Sequence, residues 1–349
     1  MRLGLNMGYW GAGNDADNLA LAQAADTLGY DSCWVAEAYG SDAPTVLAWV
    51  AAQTKNIHVG SAIFQIPART PASCAMTAAT LDTLSGGRFR LGLGVSGPQV
   101  SEGWYGAKFD KPLARTREYS DIVKLALRRE KVKYQGDHYV LPLPDGPGKA
   151  LHLTVHPVRE HIPMYLAAVG PKNLELAGEL FDGWLGIFFS PEFGKEQLTQ
   201  VEAGRAKVGK TLEGFDVAPS MPLILGDDLK ACADQIRWYA ALYIGGMGSR
   251  EKNFYNQLAV RMGYEKEAAE VQELYLAKKY DEAAAAVPHE FIERTTLLGS
   301  KENVASQMQS LAAAGVTSLI ITPVANTLDE RKAALRTAVE ALEHAGVAS

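Results

Sequence analysis

Short runs of consecutive apolar residues alternate with longer stretches of helical period along the whole chain. Leu3–Met7, Ser32–Ala36, Ile57–Phe64, Phe89–Val95, Met164–Val169, Trp184–Phe188, Phe215–Leu225 and Ser318–Thr322 read as strands. Neighbouring residues within them are apolar on both sides, as burial on both faces of a parallel sheet requires. Between them, amphipathic segments such as Ala16–Leu28, Ala43–Gln53, Ala72–Leu84, Ala114–Arg128, Leu229–Tyr243, Val304–Ala314 and Leu328–His344 read as helices. Strand–helix alternation implies right-handed crossovers. The eight strands predict an α/β fold, a closed (β/α)8 TIM barrel, and residues 1–349 are read as one domain.

Two stretches interrupt the rhythm, one after strand 4 (131–161) and one before strand 8 (246–294). The first carries Val132-Lys-Tyr-Gln-Gly-Asp-His-Tyr-Val140, a hairpin pattern with a Gly-Asp turn. The second reads as largely helical. Both are long enough to serve as lids or subunit contacts.

In a barrel the chemistry gathers where the strands end. That rim would hold Asn6, Glu37, Tyr39, Asp42, Ser61–Gln65, Val95–Glu102, Val169–Lys172 and Thr322. No histidine is among them. Of the seven histidines, His58 starts a strand, and only His156 and His289 sit where an insertion could bring them over the mouth. None has metal-ligand spacing, so no metal site is expected and a metallohydrolase is disfavoured. A carboxylate at the end of a buried strand must be solvated, paired or protonated, which makes Glu37 the leading chemical candidate. Asp42, just before an apolar helical run, reads as an N-cap. Gly92-Leu-Gly-Val-Ser-Gly97 follows a strand but opens no helix, so it is not a dinucleotide fingerprint; its small residues would let a flat ring approach. Gly170-Pro171-Lys172 joins a strand to a helix start, where free amides and a cation favour a phosphate.

Composition narrows the partners. The net charge of -6, with 47% hydrophobic and 21% charged residues, describes a globular chain without the basic excess that nucleic acid attracts. The three cysteines form no CxxC pair, and no stretch approaches the ~20 apolar residues of a membrane span. A reducing, cytoplasmic setting is expected.

Four strings then add a family likeness: Gly29-Tyr-Asp-Ser-Cys-Trp-Val-Ala-Glu37, Ser85-Gly-Gly-Arg-Phe-Arg-Leu-Gly-Leu-Gly-Val95, Ala177-Gly-Glu-Leu-Phe-Asp-Gly183 and Gly299-Ser-Lys-Glu-Asn-Val304. In this order they resemble the luciferase-like superfamily. Trp34-Val-Ala-Glu-Ala-Tyr-Gly-Ser-Asp42 resembles its branch that uses the deazaflavin coenzyme F420, related to methylenetetrahydromethanopterin reductase and F420-dependent glucose-6-phosphate dehydrogenase. The resemblance implies hydride transfer at the deazaflavin C5 to or from a small organic substrate. It implies a third-strand bulge at Ser61, Ala62 and Ile63 holding a non-proline cis peptide against the ring. Val95 and Ser96 would flank the ring, Glu37 would lie near it, and Gly170, Pro171 and Lys172 would meet the tail phosphate. Glu37, Glu102 and Tyr39 are the candidate proton donors or acceptors. Family likeness also suggests a homodimer.

The departures bear on substrate. Ala38 stands where the dehydrogenase-like members carry histidine, and Gly97-Pro98-Gln99 stands where they carry an acid. Both disfavour sugar-phosphate oxidation and favour an uncharged or apolar substrate, against an aromatic wall from Trp10, Trp104 and Tyr105 if these face the mouth. An FMN-dependent monooxygenase of the same superfamily and a non-catalytic flavin-binding barrel remain as alternatives.

Overall fold

The structure is a computed structural model that describes residues 1–10 and 15–349. Eight parallel strands close on themselves: β1 (Arg2–Asn6), β2 (Ser32–Val35), β3 (His58–Ser61), β4 (Phe89–Gly94), β5 (Met164–Ala167), β6 (Gly183–Ile187), β7 (Asp216–Leu225) and β8 (Ser318–Pro323). Each pairs with its chain neighbour, and β8 closes the ring by pairing Leu3↔Leu319 and Leu5↔Ile321 with β1. The (β/α)8 barrel is therefore present, with all eight strands within a few residues of their sequence positions.

Eight helices jacket the sheet: α1 (Asp15–Thr27), α2 (Ala43–Gln53), α3 (Pro71–Leu84), α4 (Pro112–Leu127), α5 (Pro171–Leu180), α6 (Pro191–Lys207), α7 (Lys301–Ala313) and α8 (Leu328–Ala345). Their starts are written locally. Proline occupies the first turn of α2 to α6, where its missing N–H costs nothing. Asp42 caps α2 through the Thr45 amide at 3.0 Å, as expected, and Thr327 with Glu330 forms a reciprocal capping box on α8.

Inside the cylinder, Trp34 and Tyr165 meet edge to face, ring centroids 5.2 Å apart, with Leu185, Ala218 and Ile320 around them. The neighbouring strands make room by omitting a side chain at the paired position, Gly60 beside Trp34 and Gly183 beside Tyr165. A Cβ on Gly60 would lie 2.4 Å from the Trp34 ring, and one on Gly183 would lie 2.4 Å from the Tyr165 ring.

Charge closes the floor. Arg90 donates to both oxygens of Asp31, at 2.6 and 3.1 Å, and His58 Nδ1 lies 2.8 Å from the Asp31 carbonyl. Asp216 accepts from Tyr165 (2.9 Å) and Thr317 (2.6 Å) and pairs with Arg2. Burial alone would raise the Asp31 carboxyl, but the Arg90 guanidinium outweighs it and holds the pKa below the usual range.

The two insertions occupy opposite ends of the barrel. The first forms the expected hairpin, Tyr134–Gln135 against Val140–Leu141. It folds along α4, where Glu118 accepts from the amides of Asp137, His138 and Tyr139. Its far end is tied towards the floor by Arg159, which binds Asp82 and the carbonyl of Phe89 at the start of β4. It is not a lid, and His156 contacts Arg129, just past the end of α4, rather than the mouth. The second insertion carries its own apolar core, built on Phe188 just beyond β6, Ile224 near the end of β7 and Leu298 of a short strand, Leu297–Gly299, that pairs with β7. It begins earlier than 246: the helix expected over Leu229–Tyr243 is broken into Leu229–Asp234, Arg237–Ala241 and a π-turn at Leu242–Gly246. His289 pairs with Glu293 on its own helix.

Two outcomes follow from this packing. Gly60→Ala should cost about 2 kcal/mol or more, because the Trp34 ring cannot retreat. Asp31 stabilises the fold above its unfolded pKa of about 4, and that contribution is lost as pH falls through its lower folded value. Asp31→Ala should therefore cost about 3 kcal/mol at pH 7 and flatten the acid limb of stability against pH, read by urea denaturation.

Candidate functional site

The site grows from the way the chain leaves β3. After Ser61 the Ala62–Ile63 peptide is cis, as the family resemblance implied. The chain then rejoins the barrel as a two-residue strand, Phe64–Gln65, paired to Leu93 and Gly94 of β4. Ser61 Oγ donates to the Gly92 carbonyl at 2.8 Å and accepts from its amide at 2.9 Å. Its side chain is thus fully used in locking β3 to β4. A Cβ on Gly92 would lie 1.9 Å from the Ser61 carbonyl oxygen, and one on Gly94 would lie 2.1 Å from Ile63. This corrects the sequence reading of these glycines. The room they leave is filled by the bulge itself, and the resulting ledge, Ala62 and Ile63 above the Trp34–Tyr165 core, is the surface on offer to a ligand.

Glu37 braces the ledge. Arg69 donates to both its oxygens at 2.7 Å, and the amides of Gln65 (3.1 Å) and Ala43 (3.3 Å) complete its shell. Both groups are largely withdrawn from water, with Glu37 only 6% exposed. Arg69 also stacks over Phe64, 4.6 Å from the ring centre. The carboxylate thus joins the end of β2 to the segment that follows the bulge.

Beyond the brace, one end of the Gln65 amide donates to Ser96 Oγ at 3.1 Å. The other end has no partner although the residue is 4% exposed. Buried polar atoms are almost always bonded, so an orphan beside a ledge marks a place for a ligand hydrogen bond. Ser96 takes φ of 62°, directing the chain away from the barrel after Val95. Gln65 was within the expected rim, but nothing local in its sequence distinguished it.

The other expected residues scatter around the rim. Glu102 is exposed and accepts from the Phe109 amide at 2.9 Å, closing its own loop. Tyr39 is two-thirds exposed. Of the expected aromatic wall, Tyr105 crosses to the Ala38 carbonyl (2.9 Å), Trp10 is held through its amide by Ser41, and Trp104 is exposed.

Gly170 sits at the N-cap of α5 with no side-chain cap, and Pro171 and Lys172 begin the helix. Lys172 reaches Glu175 at 3.0 Å, and most of its side chain is in water. A residue missed in the sequence approaches the same corner: Arg261, from the second insertion, donates to the Val169 carbonyl at 3.1 Å. Arg261 forms no ion pair among the described residues, and burial holds its pKa below the usual value. Among the described residues, no group of three potential metal ligands occurs.

Comparison with known proteins agrees with this architecture. Residues 7–318 match the sequence profile described as luciferase-like monooxygenase. A Mycobacterium tuberculosis protein named as a coenzyme F420-dependent oxidoreductase is 46% identical over 329 residues, covering 92% of this chain and 95% of that one. The 5,10-methylenetetrahydromethanopterin reductase of Archaeoglobus fulgidus is 27% identical over 302 residues, covering 85% and 86%. In fold, the coenzyme F420-dependent tetrahydromethanopterin reductase of Methanopyrus kandleri superposes with a TM-score of 0.83 at 22% identity, over 98% of this chain and 99% of that one. With nearly nine-tenths of its length inside the family profile, the chain belongs to the luciferase-like monooxygenase family.

Proposed function

We propose that this protein is a coenzyme F420-dependent oxidoreductase that exchanges a hydride between the deazaflavin C5 and a small, uncharged organic substrate. The observation that carries the ring site is the orphaned end of the Gln65 amide beside the Ala62–Ile63 ledge. A deazaflavin carries an N–H and carbonyl edge that such an amide can pair, and a flat face that suits the ledge. The choice of F420 over FMN rests on the names of the relatives.

In this reading the bound ring supplies the hydride chemistry, and the chain supplies placement. Ser61, Ala62 and Ile63 support the ring from below, while Val95 and Ser96 border it. Glu37 acts as a positioning residue, since four donors already occupy its carboxylate. Glu102 and Tyr39, both open to solvent, exchange protons at the rim. Gly170, Pro171 and Lys172 receive the tail phosphate at the start of α5, with Arg261 completing the charge. No described helix is long and apolar enough to cross a membrane. We also propose a homodimer in the cytoplasm. Trp49 on α2 and Met76 on α3, each more than half exposed, offer apolar surface on adjacent helices.

Fluorescence titration tests the cofactor directly. F420 should bind at least about tenfold more tightly than FMN, a difference of about 1.4 kcal/mol; indifference to both, or preference for FMN, overturns the reading. Arg261→Ala should weaken F420 about tenfold while leaving the tail-less deazariboflavin unchanged, as expected of a charge-assisted contact confined to the tail. Glu37→Gln should lower stability by about 3 kcal/mol, because it strands the Arg69 guanidinium. Calorimetry or denaturant melts should show the loss together with weaker ring binding.

A further inference from the structure

The chain between β4 and α4 is built as a separate body. Pro98–Gly103 forms a short helix, and the turns that follow fold back onto it. Ser101 Oγ donates to the Ala107 carbonyl at 2.7 Å, and the Ala107 amide returns to the Ser101 carbonyl at 2.9 Å. The Tyr105 amide reaches the Val100 carbonyl at 3.2 Å, and the Glu102 carboxylate holds the Phe109 amide. Residues 97–110 thus brace one another.

At both ends this body meets strained backbone. Ser96, just past β4, has φ of 62°, and Lys111, the N-cap of α4, has φ of 40°. These are left-handed values that residues with a Cβ rarely adopt. They persist where the surroundings enforce them, and they gather in ligand clamps and switch regions. Residues at the ends of elements are also the ones that absorb the φ/ψ change of a hinge.

Little else holds the body down. An unfilled crevice runs beside it, lined by Ile66, Pro67 and Val95 of the barrel and by Ser101 and Phe109 of the body. Arg115, which pairs with Asp110 at 2.7 Å, lines the same crevice and leaves its buried Nε unbonded. A Cβ on Gly103 or Gly106 would meet nothing within 4 Å. Among the described residues, one hydrogen bond ties the body across the rim: the Tyr105 hydroxyl donates to the Ala38 carbonyl, just past β2, at 2.9 Å. Phe109 also meets Phe254 of the second insertion, ring centres 6.5 Å apart. Because β3 lies between β2 and β4, a segment that leaves β4 and is fastened beyond β2 spans the end of β3, where the ledge emerges.

We propose that residues 97–110 are a gate to the ledge, swinging about Ser96 and Lys111, with the Tyr105–Ala38 bond as its latch. The gate is coupled to the ligand site at its first hinge. Ser96 Oγ accepts from the Gln65 amide at 3.1 Å, and the other end of that amide is the orphan beside the ledge. A ring edge that engages the free end fixes the Gln65 side chain, and Gln65 then fixes Ser96. Binding therefore favours the closed gate, and by reciprocity the closed gate holds the ring more tightly. Closure also shields the ring from water during turnover. The coupling to a ring rests on the F420 reading; the hinges and the latch do not.

A nitroxide on Trp104→Cys reads the gate by electron paramagnetic resonance. The label is selective, because Trp104 is exposed while Cys33, Cys74 and Cys232 are buried. Ligand-free protein should show an immobile and a mobile population. Tyr105→Phe should raise the mobile-to-immobile ratio about fivefold, as the loss of one hydrogen bond implies, with the far-ultraviolet circular dichroism unchanged. Tyr134→Phe, which removes a phenol hydroxyl from the distant hairpin, should leave the ratio alone. Saturating F420 should collapse the mobile population of the wild type. An identical ratio in the wild type and Tyr105→Phe overturns the latch, and a ratio that F420 binding leaves untouched overturns the coupling. If F420 does not bind at all while Tyr105→Phe still frees the label, the gate stands and the cofactor reading falls.

Discussion

A carboxylate buried at the end of a barrel strand stays ionised only if charge and hydrogen bonds replace the water it has lost. Glu37 meets that demand with Arg69 and two backbone amides, and the rest of the mouth is arranged around the solution. Because Arg69 lies just beyond the bulge, satisfying Glu37 fixes the path of residues 62–69. That path in turn sets the height of the ledge, the position of Gln65 and the start of α3. The ion pair contributes little net stability for its own sake, since burying two charges offsets most of their attraction. Its consequence is geometric.

The same division of labour recurs through the molecule. Trp34 and Tyr165 plug the cylinder so that nothing placed on the ledge can sink into it, and Gly60 and Gly183 are bare because those rings occupy the space of a side chain. The floor is closed by the pairs of Asp31 with Arg90 and Asp216 with Arg2, at the end of the strands away from the ledge. The insertion that follows β7 brings Arg261 to the Val169 carbonyl, just before α5, and packs Tyr239 and Tyr243 on Phe188 beyond β6.

Much of this was legible in the sequence. Strands buried on both faces carry runs of apolar residues that little else mimics, so all eight were found, as were the Asp42 cap and the Gly136-Asp137 turn. The bulge at Ser61–Ile63 was expected only from family likeness, because nothing in three small residues announces a cis peptide. What sequence could not supply were contacts between distant positions. Arg69 lies 32 residues after Glu37, so a residue that looked like a reacting acid proved to be fully bonded. Gly92 and Gly94 looked like space for a ligand and are space for the preceding strand's own bulge. The Leu229–Tyr243 segment has helical period throughout, yet it breaks near Gln235 and ends in a π-turn, because Asn253 and Asn256 stabilise carbonyls that a regular helix would satisfy itself.

The central claim is that the ledge of Ala62 and Ile63, braced by Glu37 and edged by Gln65, seats a deazaflavin ring. A crystal structure of the protein grown with F420 tests it most directly. The account predicts the ring face lying on the Ala62–Ile63 peptide, with the Gln65 amide within hydrogen-bonding distance of the ring edge. A ring bound elsewhere in the mouth, with Gln65 still unpartnered, would contradict it.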